Sequence, residues 1–194
     1  PFTVNEHVLI PRQDTEILVE EALKRAKPGM KILDMCTGSG CILLSVLSNC
    51  PSVMGTGVDL SEKALETARK NAADLKIEAE FLHSDLFEQV EGSFDLILSN
   101  PPYIRTDVIP TLMPEVRDHE PWMALDGKED GLYFYRKILE QAGAYLIPGG
   151  WLCFEIGYDQ GEDLRALMQR QGLEQIEIVK DLAGLDRVAV GRKK

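Results

Sequence analysis

The residues of this sequence best suited to chemistry are Asn100, Pro101, Pro102 and Tyr103, which follow an apolar run that ends at Ser99. Two consecutive prolines lack backbone N–H groups and hold φ near about −65°, so they can neither extend a sheet nor enter a helix interior. The backbone at this corner is therefore stiff and extended, and its carbonyl groups have no strand partner. The Asn100 side chain adds an amide oxygen and an NH2 group, and Tyr103 adds an aromatic wall.

Such an array of hydrogen-bond acceptors suits a planar nitrogen group, either an amide or an aromatic amine. Two acceptors can bind both N–H hydrogens and turn the nitrogen lone pair towards an electrophile. Because an unactivated NH2 group is a poor nucleophile, positioning would be the main catalytic device, and near-attack alignment can supply up to about 7–11 kcal/mol. The alternative is an ordinary turn at the end of a strand, with Tyr103 packed on the core.

A second candidate site is a glycine-rich turn between a strand and a helix. An apolar strand is predicted at 31–36, the turn at 37–40 reads Thr-Gly-Ser-Gly, and a helix follows from Cys41. Glycine allows the backbone to approach a ligand closely, and the first N–H groups of a helix are free to bind. The next predicted strand ends at Asp59, whose carboxylate could accept hydrogen bonds from both hydroxyls of a ribose.

The spacing of this turn separates two classes of nucleoside cofactor. A dinucleotide fingerprint requires G-x-G-x-x-G/A, in which the last small residue lets the helix pack closely under a pyrophosphate. Counted from Gly38, that position is Leu43. A bulky leucine argues against pyrophosphate, whereas S-adenosylmethionine has no phosphate and needs only close backbone approach and a ribose acceptor. The pattern therefore favours a methyl donor over a nicotinamide dinucleotide.

Composition narrows the class of partner. The chain has 194 residues, a hydrophobic fraction of 44% and a net charge of −11, which fits one domain with a proper core. Binding to nucleic acid needs clustered Lys and Arg, so direct nucleic-acid binding is not expected, and an acidic domain would favour a basic protein partner. No apolar run is long enough for a membrane span and no leader opens the chain, so no membrane association is expected.

The four cysteines predict neither a zinc site nor a disulfide framework. They form no C-x-x-C pair and have no histidine close by, so we expect no metal, reduced thiols and a cytoplasmic location. Residues 1–194 are predicted to form one domain. The domain begins with a strand and a helix within residues 1–28. The first residues lack an initiator Met, and we expect the protein to continue upstream.

Strands and helices alternate along the chain, which predicts an α/β fold with a mostly parallel sheet and helices on both faces. The last two strands should form an antiparallel hairpin at one edge. Residues 104–128 are predicted to be a long excursion over the carboxyl edge of the sheet, and loops of that length tend to be functional. Strands are predicted at 1–10, 31–36, 56–59, 77–82, 94–99, 151–156, 174–180 and 187–190. Helices are predicted near 15–27, 41–48, 61–75, 132–146 and 160–171.

Several short motifs in this order resemble a known family. Asp34-Met-Cys-Thr-Gly-Ser-Gly, Gly57-Val-Asp, Ser84-Asp and Asn100-Pro-Pro-Tyr together resemble the class I methyltransferases that modify planar nitrogen. Leu9-Ile-Pro-Arg-Gln-Asp-Thr-Glu, Glu120-Pro-Trp-Met-Ala-Leu, Asp130-Gly-Leu and Glu155-Ile-Gly look more specifically like the glutamine-N5 methyltransferases of peptide-chain release factors, the HemK/PrmC family. The resemblance covers nearly the whole chain and implies a Rossmann-like class I methyltransferase fold.

The resemblance also implies roles for single residues. The methyl donor would be S-adenosylmethionine, with S-adenosylhomocysteine as product, and the acceptor would be the glutamine of a Gly-Gly-Gln motif in class I release factors. Asp59 would bind the ribose, and Asp85 with Leu86 would flank the adenine. Asn100 and the Pro101 carbonyl would hold the substrate NH2 group, with Tyr103 against the amide plane. The full predicted cofactor set is Cys36, Thr37, Gly38, Ser39, Gly40, Asp59, Asp85, Leu86 and Asn100.

The chain departs from the family pattern at two points. Cys36 replaces the first glycine of the loop, which is tolerable at a negative φ but not at a positive one without strain. The helical domain that normally precedes the catalytic domain is missing from this sequence, so binding of the protein substrate is expected to be weakened. The roles of Arg12, Asp14, Glu16 and Glu120 stay open between helix capping or loop support and a pocket rim.

Two alternatives from other classes fit parts of the sequence. An adenine-N6 methyltransferase acting on DNA or RNA would also use Asn-Pro-Pro-Tyr, because an exocyclic amine presents the same NH2 group and Tyr103 could stack on a flipped base. The sequence shows no basic stripe that would support it. A scaffold that binds the cofactor without catalysis is the other alternative, and the intact acceptor array at Asn100 argues against it.

Overall fold

The structure, a computed structural model, describes all residues from 1 to 194. The strands are β1 (Lys31–Met35), β2 (Met54–Asp59), β3 (Glu80–His83), β4 (Phe94–Ser99), β5 (Leu146–Glu155), β6 (Glu174–Lys180) and β7 (Asp186–Arg192). The helices are α1 (Thr15–Arg25), α2 (Cys41–Asn49), α3 (Glu62–Leu75), α4 (Pro114–Arg117), α5 (Trp122–Leu125), α6 (Tyr133–Tyr145) and α7 (Gly161–Arg170), with one 3-10 turn at Ile109–Thr111. No helix of the chain combines the length and apolar character needed to cross a bilayer.

The seven strands form one sheet in the order β3-β2-β1-β4-β5-β7-β6. Strands β1 to β5 pair in parallel, and β7 runs antiparallel to both β5 and β6. The predicted parallel sheet with an antiparallel edge hairpin is therefore confirmed. The chain order reverses direction between β1 and β4, and ligands of open α/β sheets bind at the carboxyl end of such a switch point.

Alternate residues of the buried strands supply two separate cores, one on each face of the sheet. Ile32 packs with α1 and α2 on one face, and its neighbour Leu33 packs with α6 and α7 on the other. This alternation follows from the two-residue period of a strand. Burying both faces explains why β1 and β4 read as almost continuous apolar runs.

The opening segment is not the strand that the sequence predicts. Residues 1–10 form no ladder and lie against α3, where Asn71 replaces a strand partner. The Thr3 amide donates to Asn71 Oδ1 at 2.7 Å, and Asn71 Nδ2 donates back to the Thr3 carbonyl at 3.0 Å. A side-chain amide carries one donor and one acceptor, so it can satisfy extended backbone without a sheet edge.

The predicted excursion at 104–128 contains the 3-10 turn, α4 and α5, and a bridge between Ile104 and Asp126 closes it. Two strands begin three or more residues from the predicted start. Strand β3 begins at Glu80, not at residue 77. Strand β5 begins at Leu146, not at Trp151, and a register shift against β4 accommodates the Pro148-Gly149-Gly150 stretch. Such irregularities let a strand pass residues that would otherwise end it.

Candidate active site

One cavity lies at the carboxyl ends of β1, β2 and β4, at the switch point of the sheet. It brings together most of the predicted cofactor residues with part of the predicted catalytic corner. The predicted residues that line it are Cys36, Thr37, Gly38, Ser39, Asp59, Asp85, Leu86, Asn100 and Pro102. Gly40, Pro101 and Tyr103 do not line it.

The glycine turn is fixed to the ends of the two strands beside it. The Gly38 amide donates to Asp59 Oδ2 at 2.9 Å, and the Thr37 amide donates to the Val58 carbonyl at 2.9 Å. Cys36 has φ +61°, and Gly38 has φ +55°. A cysteine in this region costs about 1–3 kcal/mol, so the turn holds strain at a position where glycine would have none. A Cβ built on Gly38 meets nothing within 4 Å, so open space lies above the turn.

Gly40 has a structural role instead of the predicted ligand contact. It precedes α2 with φ +76°, and a Cβ there would lie 3.2 Å from the Cβ of Ala68 on α3. Glycine therefore allows α2 and α3 to pack closely, and it completes the turn without reaching the cavity.

Asp59 has both carboxylate oxygens oriented by backbone amides. The Ser61 amide donates to Oδ1 at 2.9 Å, while Gly38 occupies one lone pair of Oδ2. Burial raises the pKa of Asp59, and these backbone N–H groups oppose the shift by stabilising the charged form. Each oxygen keeps a second lone pair, so the carboxylate can still accept hydrogen bonds from a diol in the cavity.

Asp34 is a fully buried carboxyl group beneath the glycine turn. Thr37 Oγ1 donates to its Oδ2 at 2.6 Å, while Oδ1 has no hydrogen-bond partner. Burial raises the pKa of Asp34 to about 7, and the charge of Asp59 adds to the shift. A cationic ligand above the turn would favour the ionised form, because an opposite charge lowers the pKa of a carboxyl group.

The charges around the cavity select the kind of ligand. Its lining contains the carboxylates of Asp59 and Asp85 and no lysine or arginine. Two carboxylates with no lysine or arginine beside them repel a phosphate group, so a pyrophosphate is disfavoured here. A ligand with a ribose, a positive charge and no phosphate fits these residues.

Asp85 and Leu86 stand on a turn that a neighbouring serine builds. Ser84 Oγ donates to the Leu86 carbonyl at 2.9 Å and accepts from the Gln89 amide at 2.9 Å. The turn holds Leu86 at φ +48°, another positive value at a residue other than glycine. Asp85 is exposed at the cavity rim, and Leu86 is half-buried.

The corner formed by residues 100–103 follows β4 and lies beside the glycine turn. Contacts with β1, Gln160 and the 104–128 excursion hold it in place. Ser99 Oγ donates to the Met35 carbonyl at 2.7 Å, which fastens the end of β4 to the end of β1. Gln160 Nε2 donates to the Tyr103 carbonyl at 3.2 Å. A Cβ built on Gly127 would lie 2.7 Å from the Tyr103 backbone, so only glycine allows the excursion to pack this closely.

The two ends of the corner have different surroundings. Asn100 and Pro102 face the cavity, whereas the Tyr103 ring packs against the core and does not line it. Burial raises the pKa of Tyr103, and the nearby Glu155 adds to the shift. The ring therefore takes the core position that the sequence left as the alternative, and Asn100 is the polar side chain that the corner presents.

Sequence reasoning left pocket-rim and loop-support roles open for Arg12 and Glu120, but it missed the apolar residues beside them that close the cavity on the side opposite the glycine turn. We call them the cover, and they comprise residues 7–12 and 120–125. His7, Val8, Leu9, Pro11, Met123 and Ala124 line the cavity. An ion pair between Arg12 and the buried Glu120 joins the two halves of the cover. Val8 is 2% exposed, and a buried residue in an irregular segment has no periodic signal.

The other polar residues of the opening segment have structural positions. Asp14 pairs with Arg187 at 3.2 Å, and Glu16 is an exposed residue in the first turn of α1. No group of three or more potential metal ligands occurs in the chain. The four cysteines are unpaired.

This doubly wound sheet, with a cavity lined by two aspartates at its switch point, has the architecture of a class I methyltransferase. The methyltransferase small domain family matches residues 12–113. The release factor glutamine methyltransferase of Agrobacterium fabrum is 46% identical over 98% of this chain and 68% of its own length. The enzyme of the same name from Caulobacter vibrioides is 48% identical over the same shares.

A solved structure agrees with these relatives. The release-factor-specific protein-(glutamine-N5) methyltransferase from Alicyclobacillus acidocaldarius is 30% identical, with a TM-score of 0.59 over 100% of this chain and 99% of that one. The chain therefore belongs to the release factor glutamine methyltransferase family.

Proposed function

We propose that the protein transfers a methyl group from S-adenosylmethionine to the side-chain nitrogen N5 of a glutamine in a class I release factor, within a Gly-Gly-Gln motif. The main support is that Asn100 and the glycine turn line the same cavity. A methyl donor bound over the turn would then face the acceptor groups of the corner.

The proposed binding roles follow the surroundings of each side chain. Cys36, Thr37, Gly38 and Ser39 would contact the methionine part of the cofactor, and Asp34 would supply a negative charge beneath it. Asp59 would accept hydrogen bonds from the ribose. The rim residues Asp85 and Leu86 would flank the adenine. The aspartates and the absence of Lys and Arg in the lining support a sulfonium ligand.

In the proposed reaction, Asn100 Oδ1 accepts one N–H hydrogen of the substrate amide. The Pro101 carbonyl, which does not itself line the cavity but lies between two residues that do, would accept the other. These contacts hold the nitrogen lone pair in line with the methyl carbon. When bound, the cofactor supplies an electrophilic methyl group, whose bond to sulfur breaks as the bond to nitrogen forms. Positive charge would develop on the nitrogen, and the acceptor oxygens of Asn100 and Pro101 would stabilise it. The nitrogen would lose one proton to solvent once the product leaves the covered cavity.

The cover would exclude water from the reacting atoms. Val8, Leu9 and Met123 supply apolar surface above the turn. A dry site strengthens the electrostatic contacts inside it and protects the methyl donor from competing nucleophiles. The same closed geometry requires the substrate glutamine to enter beside the corner.

The experiment is mass spectrometry of a release factor after incubation with the protein and isotope-labelled methyl donor. We expect one added methyl group on the glutamine of the Gly-Gly-Gln motif. A release factor with that glutamine replaced by alanine is the matched control and should take up no label. Label on other residues, or none on the unmodified substrate, would overturn the proposal.

The nucleic-acid alternative is not favoured, and the same assay tests it with duplex DNA and RNA as substrates. Binding to nucleic acid depends on neutralised phosphates, and this chain has a net charge of −11. A cytoplasmic location is also proposed. Its support is the set of four free cysteines, which is typical of a reducing compartment.

A further inference from the structure

Glu155 lies at the carboxyl end of β5, side by side with Asn100. Strands β4 and β5 are parallel and pair Ser99 with Phe154, so Asn100, which follows β4, and Glu155, the last residue of β5, are neighbours. Glu155 is 2% exposed. It does not line the cavity, whereas Asn100 does.

The carboxyl group of Glu155 has unused capacity to accept hydrogen bonds. Its Oε2 atom is buried and has no partner. The Tyr135 hydroxyl donates at 2.8 Å to the main-chain carbonyl of Glu155, not to the carboxylate. A buried carboxylate with a free oxygen is costly to maintain, and such groups concentrate where function needs them.

Charged and polar groups reach the Glu155 carboxyl from three elements. Thr15 and Asp14 lie at the start of α1, Arg187 lies on β7, and Asn100 follows β4. Burial raises the pKa of Glu155, while Thr15, Arg187 and Asn100 oppose the shift and Asp14 adds to it. The side chains of Thr15 and Asn100 are therefore placed to donate to the charged carboxylate.

An asparagine amide can face a neighbour with either its NH2 group or its oxygen. A carboxylate can only accept, so it binds the NH2 group and leaves the amide oxygen pointing the other way. For Asn100, the amide oxygen would then point into the cavity. A protonated carboxyl group or a glutamine amide in the same place could donate as well, and both orientations would then be allowed.

The geometry points to Glu155 as a positioning residue that fixes the Asn100 amide with its oxygen towards the substrate nitrogen. The inference rests on the proposed function, in which Asn100 Oδ1 accepts a hydrogen bond from the substrate NH2 group. An NH2 group in that place would instead repel the substrate N–H hydrogens. Glu155 itself touches neither substrate nor cofactor.

The kinetic test is Glu155→Gln, which keeps the size of the side chain and removes its strict acceptor character. At about pH 8 we expect kcat for release-factor methylation to fall at least about tenfold, with the affinity for S-adenosylmethionine close to that of the wild type. The ratio of wild-type to variant kcat should shrink as the pH falls, because a protonated Glu155 also donates. A ratio of one, or a ratio that is constant with pH, overturns the inference.

Glu21→Gln is the matched control, because Glu21 is also a buried carboxylate on the α1 face of the sheet but pairs with Lys24 and Arg25. Replacing the Glu21 carboxylate should lower the stability of the protein without a pH-dependent change in kcat. If Glu21→Gln reproduces the pH-dependent ratio, a general effect of losing a buried carboxylate is responsible and the inference fails.

A second measurement does not depend on turnover. The measurement uses NMR spectra of wild-type protein labelled with 15N. The side-chain NH2 signals of Asn100 are assigned by their loss in Asn100→Ala. These signals should shift as Glu155 titrates. The shift should be absent in Glu155→Gln. Wild-type protein that shows this titration but does not methylate release factor would overturn the proposed function alone. Signals of Asn100 that do not titrate would overturn the positioning role.

Discussion

The glycine turn and the cover enclose the same cavity, but they are held together in different ways. The turn is fastened by backbone hydrogen bonds to the ends of adjacent parallel strands, such as Gly38 to Asp59. The cover is fastened by the side-chain pair between Arg12 and Glu120, which are 108 residues apart in sequence. The comparison shows that one side of the cavity is part of the sheet, whereas the two halves of its other side are joined by a side-chain ion pair.

The largest expected effect comes from the corner between these two regions. Asn100→Ala removes the side-chain acceptor while the Pro101-Pro102 backbone stays in place. We expect kcat to fall about 10²–10³-fold, the range found when one preorganised hydrogen-bonding group is removed from a transition state. Affinity for S-adenosylmethionine should change much less. Steady-state kinetics and calorimetric titration with the cofactor measure the two quantities, and equal losses in both would contradict a substrate-specific role.

The second prediction concerns the support behind the corner. Gly131 has φ +73°, and a Cβ there would collide with the Tyr103 carbonyl oxygen and approach Gln160 Nε2 at 2.8 Å. Gly131→Ala should therefore displace the corner and cost about 3 kcal/mol of stability, because overpacking and a left-handed backbone act together. Activity should fall more than cofactor affinity does.

Gly172→Ala is the matched control for this prediction. Gly172 has φ +75°, almost the same backbone, but nothing lies within 4 Å of its Cβ position. Its substitution should cost only about 1 kcal/mol from the backbone term, with kcat unchanged. Equal melting temperatures for the two variants would show that the tight contact at Tyr103 does not support the corner.

The difference between the two regions also explains what the sequence could predict. Strand-turn-helix order, the acid at Asp59 and the double-proline corner are local signals. They predicted the sheet, the glycine turn between β1 and α2 and the place of Asn100 at the end of β4. The cover has no periodic pattern, and its closing pair is invisible without the fold. Residues 1–10 contain β-type residues, yet contacts with Asn71 on α3 override that propensity.

Tyr103 and Gly40 illustrate a second limit. Both belong to motifs whose neighbours line the cavity, but the structure directs Tyr103 to the core and uses Gly40 to pack α2 on α3. Sequence spacing specifies that a motif is present at a strand end. It does not specify which of its side chains face the ligand, because that depends on backbone angles at each turn.

The third prediction concerns how the stability of the protein depends on pH through Asp34, which lies beneath the glycine turn. Asp34 has a pKa of about 7 in the folded protein against 3.8 in the reference state, so the folded state binds its proton more tightly than the unfolded state does. Stability therefore falls as the pH rises from about 4 to about 7, by about 4 kcal/mol at most, and the full penalty is present above pH 7. Bound S-adenosylmethionine should reduce this penalty, because its positive charge favours ionised Asp34.

The measurement compares wild-type protein with Asp34→Asn in denaturant titrations without cofactor. The asparagine carries no charge, so the variant should gain stability relative to the wild type between about pH 5 and about pH 8. Asp95→Asn is the control, because Asp95 accepts a hydrogen bond from the exposed Lys31 amide at the opposite end of the sheet. A stability difference for Asp34→Asn that does not vary with pH would contradict a raised pKa.

The smallest predicted effect breaks the cover without touching the turn. Arg12→Ala leaves Glu120, whose side chain is 2% exposed, without its cationic partner. Because Arg12 itself is partly exposed, we expect a loss of about 1–2 kcal/mol of stability. The weakened cover should open more often, so S-adenosylmethionine should dissociate faster while its association rate changes little.

Arg117→Ala is the control. It removes an exposed ion pair with Asp118 in the same excursion and should change neither the stability nor the dissociation rate measurably. Stopped-flow fluorescence of the two variants gives both rates. An unchanged dissociation rate in Arg12→Ala would mean that the cover retains the cofactor without this ion pair. The contrast between a turn fixed by the sheet and a cover whose halves are joined by an ion pair would then be wrong.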